Sequence, residues 1–305
     1  MNLIKRLFIE GYWECYYRKT PNSILDYPNL ENQWHKIYAD RRFWCADPFL
    51  VNNNGEEYVF VEMMDRKKSY GVLGCGKITE GEKTKVRVIK DLGCHTSYPH
   101  VFSWNKELYM IPETVERHTI ELYKCKSFPD SWEKVSVLLS NIKAVDTTVF
   151  EYQGELYAFI YEENEGANRL SIGKLNFNNN RIENICLVKQ YNQKIGRPAG
   201  RVICKNGLFY RPTQYGVNFY GEKVIFQQFD IMEIDGRIIF TEKNDVELCV
   251  DNIGFKNSAN FKGTHTYNFD SGYEVMDFCK KKFYIERPLQ LVMKKFKIGG
   301  YRFHG

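Results

Sequence analysis

The chain has 305 residues, 43% of them hydrophobic and 15% aromatic, with a formal charge of +5 and nine cysteines. That charge is modest and no Lys/Arg block in the body of the chain forms a basic stripe, which argues against a nucleic-acid partner. The cysteines are odd in number and contain no C-x-x-C pair, so reduced thiols in a cytosolic setting are expected rather than a disulfide framework.

In chain order, "MNLIKRLFIEGYW" is broken by an acid and aromatics long before signal-peptide or membrane-spanning length. "YWECYYRK" follows as a strand. "DPFLVNNNGEEYVFVE" then begins at Asp47 as two strand-like runs around a polar turn, and the same design recurs as "YPHVFSWNKELYMIPE" from Tyr98, "DTTVFEYQGELYAFIY" from Asp146 and "AGRVICKNGLFYRPTQ" from Ala199. Each copy carries a tyrosine eleven residues after its first position, at Tyr58, Tyr109, Tyr157 and Tyr210. A fifth copy, "HTYNFDSGYEVMD", starts at His265 around a tight Asp-Ser-Gly turn. The starts are 51, 48, 53 and 66 residues apart, and further strand runs such as "YGVLGCGKI" and "KVRVIKDL" fill the intervals.

Four strands per unit at this period predict an all-β, five-bladed β-propeller with four-stranded antiparallel blades around a central funnel. The expected propeller spans residues 1–290, with "YWECYYRK" as the outer strand of the last blade. A basic, aromatic tail, 291–305, reads either as a segment that rests on an anionic membrane surface or as a solvated terminus.

Counting each hairpin out from its turn pairs Asp47 with Glu62, Tyr98 with Glu113, Asp146 with Tyr161, Ala199 with Gln214 and His265 with Asp277. Every blade then presents polar groups at one height: Asp47 and Glu62; His100 and Glu113; Asp146 and Tyr161; Arg197, Arg201, Arg211 and Gln214; His265 and Asp277. Such convergence in a concave pit suits a ligand, although turn capping would also account for Asp47 and Asp146 singly. The arginines of one blade, as guanidinium forks, suggest an anionic group on the substrate. His100 and His265 read as hydrogen-bonded residues or sugar contacts rather than acid–base groups. No metal-ligating spacing occurs, so neither metal nor cofactor is expected.

"WCADPFLV", "SYPHVFSWNKELYMIPET", "VDTTVFEYQGELYAF", "GRPAGRV" with "YRPTQ", and "GTHTYNFDSGYEVMD" together resemble the N-terminal propeller of plant glucosamine inositolphosphorylceramide transferases and its bacterial relatives, over about residues 34 to 278. That domain is similar in turn to the five-bladed fold of glycoside hydrolase families 43, 32 and 68. The resemblance implies that Asp47 matches the first-blade base or nucleophile, Asp146 the supporting acid, and Glu113 the candidate general acid, while blade four departs by offering arginines. Bacterial members accompany surface-polysaccharide assembly, and plant members join the propeller to a glycosyltransferase domain.

Three functions stay open on this reading. The first is a glycosyltransferase-like enzyme of polysaccharide or glycolipid synthesis, with arginines on the phosphates of a nucleotide sugar and Asp47 or Glu113 deprotonating an acceptor. The second is a family 43-like hydrolase with paired carboxylates. The third is a glycan-binding module serving a partner transferase, which arginines neutralising the carboxylates would favour. The expected location is cytoplasmic, at the inner face of the membrane.

Overall fold

The computed structural model describes residues 9–25, 34–164, 166–248 and 261–283. Its strands are β1 (Ile9–Lys19) and β2 (His35–Lys36); β3 (Phe43–Asn53), β4 (Glu56–Asp65), β5 (Tyr70–Ile78) and β6 (Arg87–Lys90); β7 (Ser97–Trp104), β8 (Glu107–Glu113), β9 (Thr119–Ser127) and β10 (Ser131–Ser140); β11 (Ala144–Tyr152), β12 (Glu155–Glu162), β13 (Asn168–Asn176) and β14 (Arg181–Tyr191); β15 (Ile195–Pro198), β16 (Ile203–Lys205), β17 (Leu208–Tyr215), β18 (Lys223–Ile234) and β19 (Arg237–Leu248); and β20 (Phe261–Gly263), β21 (Tyr267–Asp270) and β22 (Tyr273–Phe283). They form five antiparallel sheets, the blades of a five-bladed propeller: β3 to β6, β7 to β10, β11 to β14, β15 to β19, and a last sheet of β20, β21, β22, β1 and β2.

Sequence predicts the N-terminal strand as the outermost member of blade five. In the structure β1 lies third, paired along its length with β22 from Ile9↔Phe283 to Lys19↔Tyr273, and the two-residue β2 takes the outer place. The sheet is thus closed by chain from both ends, which leaves no gap in the ring. The tail 291–305 lies outside the described residues.

Each blade is apolar on both faces because each is covered by a neighbour on either side. β3 and β4 are accordingly buried over most of their length rather than in alternation. The core falls into five clusters, one per seam. Phe49, Phe60 and Leu73 of blade one meet Tyr98, Val101 and Met110 of blade two. Ala144, Val149 and Ala158 of blade three meet Ile111 and Ile120. Phe159 meets Phe229 and Ile231, Phe226 meets Tyr267 and Phe278, and Val275 meets Leu50 and Val59.

One feature overturns the register counted from the turns. In blade one the pairing runs Phe49↔Phe60 and then Ala46↔Glu62, so Asp47 and Pro48 together face one residue, Val61. The same β-bulge sets Ser97, not Tyr98, opposite Glu113, and Val145, not Asp146, opposite Tyr161. In blade four Arg197, not Ala199, faces Gln214, and in blade five the Asp277 N–H reaches Thr266 rather than His265. The bulge residues Asp47, Tyr98 and Asp146 take left-handed φ values of 48°, 44° and 48°. Asp tolerates this conformation, whereas a tyrosine held there is strained and needs tertiary support. Tyr98 has that support: its hydroxyl bonds Thr148 Oγ1 at 2.8 Å and accepts the Gly200 N–H at 2.8 Å, tying blades two, three and four together across the axis. Gly200 is required at this spot, because its φ is 136° and a Cβ would lie 1.9 Å from the Tyr267 carbonyl oxygen.

Candidate functional site

The bulges turn Asp47 and Asp146 inward at the head of β3 and β11, and the second strands bring Glu62, Glu113 and Asp277 to the same height. All five acids are buried. Four of them face Arg197 or His265.

On one side Arg197 is gripped by carboxylates. Its Nε donates to Asp146 Oδ2 at 2.5 Å, Nη2 donates to Asp146 Oδ1 at 3.2 Å and to Glu113 Oε2 at 3.0 Å, and Nη1 reaches the exposed Glu163 at 3.1 Å. Gln214 Nε2 adds a bond to Asp146 Oδ2 at 3.0 Å, and the Asp146 N–H donates to Glu113 Oε2 at 3.2 Å. Burial pushes the Glu113 carboxyl well above the usual carboxylate range, opposed by the Arg197 charge and reinforced by Asp146.

On the other side His265 sits between two carboxylates, with Nδ1 2.7 Å from Asp277 Oδ2 and Nε2 3.5 Å from Asp47 Oδ1. Its pKa is raised: burial alone would lower it, but Asp277 and Asp47 outweigh that. The Trp13 ring stacks on the imidazole at 3.9 Å, and the half-exposed Tyr220 stands edge-on to it at 5.3 Å, with the Arg197 guanidinium 5.8 Å from the Tyr220 ring centre. Asp47 accepts bonds from the Thr266 hydroxyl at 2.6 Å and the Tyr98 N–H at 3.3 Å. Its pKa is pushed up to about 6, by burial first, with His265 opposing and Asp146 and Asp277 adding to the rise. A carboxyl so poised exchanges protons near neutral pH, as a general base must.

Eight predicted residues converge here: Asp47, Glu62, Glu113, Asp146, Arg197, Gln214, His265 and Asp277. Four do not. The Tyr161 hydroxyl is turned away to the Ile195 carbonyl at 2.8 Å. His100 is buried against the Val149 N–H, 3.0 Å from Nε2, and burial pushes its pKa down to about 3, so it is a neutral packing residue. Arg201 binds Asp270 and the Val101 carbonyl at the hairpin-turn end of the blades. Arg211 is fully buried in the seam of blades three and four, bonded to Gly196 O and Glu242 and packed between Phe159 and Phe240. The expected triple-arginine clamp is therefore not assembled, because alternation and the blade-four register send the three side chains to different layers.

Trp13, Tyr220, Thr266, Glu163 and His95 also belong to the pit. None but Thr266 lies in a repeated hairpin, so the period could not flag them. Among the described residues, Asp47, His265 and Asp277 are the group whose metal-ligating atoms all lie within 4.8 Å of one another. Both His265 nitrogens already face carboxylates there, so a cation would have to displace that pairing.

The family model for glucosamine inositolphosphorylceramide transferase 1, N-terminal, matches residues 36–273. The chain belongs to this family. It is 28% identical over 235 residues to glucosamine inositolphosphorylceramide transferase 1 of Arabidopsis thaliana, a match that takes in 74% of this chain and 29% of the relative. The corresponding protein of Oryza sativa subsp. indica is 27% identical over 190 residues, 59% of this chain and 25% of the relative. The chain thus spans under a third of these relatives. Solved structures with the same fold include a thermostable family-43 glycoside hydrolase, with a TM-score of 0.57 and 14% identity over 80% of this chain and 91% of that one. An α-L-arabinofuranosidase from Podospora anserina, in complex with cellotriose, gives 0.56 and 13% over 80% and 92%. At such identities the likeness concerns fold alone. Within the transferase N-terminal family's matched span lie all the converging acids except Asp277, and Arg197, Gln214 and His265 as well.

Proposed function

We propose that this propeller recognises a sugar in its axial pit and serves glycosyl transfer in glycolipid or surface-polysaccharide synthesis, with Asp47 as the base that takes the proton of a reacting hydroxyl. The observation that carries the reading is the excess of buried acid over cation, five carboxyls against Arg197 and His265, with a carboxyl of pKa about 6 among them. Such a pit suits hydroxyls and an ammonium, and Tyr220 offers a ring face at its rim. It disfavours phosphate, since Arg197 is already bound by three carboxylates and, among the described residues, Arg201 and Arg211 are committed to partners elsewhere. The sugar ring therefore belongs in the pit, with the phosphates of any activated donor held elsewhere, on the outer face or on a partner transferase. An amino sugar fits the acid excess and agrees with the glucosamine in the relatives' names.

A second reading, a binding module with no chemistry of its own, is favoured by one specific feature, the neutralisation of Asp146 and Glu113 by Arg197. Thermal shift with glucosamine, N-acetylglucosamine, xylose, UDP and UDP-N-acetylglucosamine tests both. Sugars are expected to raise the melting temperature at millimolar concentration and UDP alone to do nothing. Stabilisation by UDP equal to that by its sugar conjugate would overturn the assignment of the pit to the sugar. Transfer to an added acceptor that Asp47→Asn abolishes separates enzyme from binding module.

A further inference from the structure

One contact recurs in the pit and is missing at Glu62. In blade two the Glu113 carboxylate accepts the bulge N–H of the next blade, from Asp146, at 3.2 Å. In blade five Asp277 does the same for the Asp47 N–H at 3.0 Å. Glu62 holds the equivalent place in blade one, paired just before the bulge with Ala46 as Glu113 is with Ser97. Its natural partner would be the Tyr98 N–H, which donates instead to Asp47 Oδ2. Glu62 is left 5% exposed, with an Oε1 that has no hydrogen-bond partner. His95 Nε2 stands 3.9 Å from that oxygen. His95 Nδ1 accepts the Gly71 N–H at 3.0 Å, which places the ring proton on the nitrogen that faces Glu62.

Space is reserved for this carboxyl. A Cβ on Gly71 would stand 2.4 Å from Glu62 Oε1 and 2.7 Å from the Thr96 carbonyl. A buried carboxyl without a partner is a standing penalty on the fold, of the kind kept where a ligand supplies the missing bond. Burial, then Asp47, Glu113, Asp277 and Asp146, drive its pKa well above the usual range.

We propose that Glu62 is a ligand-contacting residue whose orphaned oxygen bonds a hydroxyl or ammonium of the bound sugar, with His95 fixing its orientation. This rests on the sugar reading of the pit. Glu62→Gln and Glu62→Met test it, by melting temperature without ligand and by calorimetric titration with whichever of glucosamine, N-acetylglucosamine or xylose wild type binds. Both variants are expected to melt at or above the wild-type temperature, because an unpaired buried acid is removed. Glu62→Met should bind the sugar about ten- to hundred-fold more weakly, and Glu62→Gln, which keeps a bonding group, should fall between. A lower melting temperature with unchanged affinity, in Glu62→Gln as well as Glu62→Met, makes Glu62 structural and overturns the proposal alone. If wild type binds none of the sugars, the sugar reading itself falls, and this proposal with it.

Discussion

Replacing Arg197 with methionine should be among the most damaging single changes in the pit. The guanidinium is the positive charge against which Asp146 and Glu113 are buried, at 2.5 Å and 3.0 Å. Methionine keeps much of the stem volume but leaves those carboxyls without a cation. Removing one partner of a buried ion pair costs about 3–5 kcal/mol, and because both acids share one arginine the losses do not add. The contact with Glu163 adds little, since that carboxylate is half exposed. Unfolding entropy at about 2.1 cal/mol/K per residue converts the loss into a fall of about 5–8 °C in melting temperature for a chain of this length. The deficit should shrink on acidification, because an acid stripped of its cation has a still higher folded pKa and is relieved by protonation. Scanning calorimetry of wild type and Arg197→Met at pH 8, 7, 6 and 5 is the assay. A variant within 1 °C of wild type at pH 8, or a deficit that grows toward pH 5, would refute the argument that this arginine neutralises buried acids.

Asp47 gives a prediction of sign. Its folded pKa stands at about 6 against an ordinary 3.8, so the folded state holds this proton more tightly than the unfolded chain. The stability from this group is full below about pH 4 and lost as pH rises to 6, by about 3 kcal/mol. Asp47→Asn, which does not titrate, should therefore gain on wild type in melting temperature between pH 4 and 7; a flat difference in calorimetry over that range would contradict the cause assigned. Tyr98→Phe should lower stability by about 1–3 kcal/mol, since the buried Gly200 N–H loses its acceptor. Urea unfolding measures this, and an unchanged midpoint would mean that the hydroxyl does not tie the blades together.

The fold was legible in the sequence because the period is a property of the chain itself. Alternating runs, polar turns and a tyrosine at a constant offset recur near every fifty residues, and strand-only units at that spacing are the pattern of propeller blades. The inward acids Asp47, Glu113 and Asp146 were legible too, since apolar strands do not otherwise place charge at one repeated height. What the chain alone could not show is where a strand slips. The bulges at Asp47, Tyr98 and Asp146 use left-handed backbone, sustained at Tyr98 by contacts from neighbouring blades, so counting from the turn missed them by one residue. The fate of the arginines was likewise a tertiary matter. Arg197, Arg201 and Arg211 are close in sequence, yet one meets the acids of blades two and three, one the turn of blade five, and one the aromatic seam of blade three. Local pattern settles which residues are polar and which strand carries them. Which charge faces which is decided by the ring, because partners such as Arg197 and Glu113, 84 residues apart, meet only when the blades close around the axis.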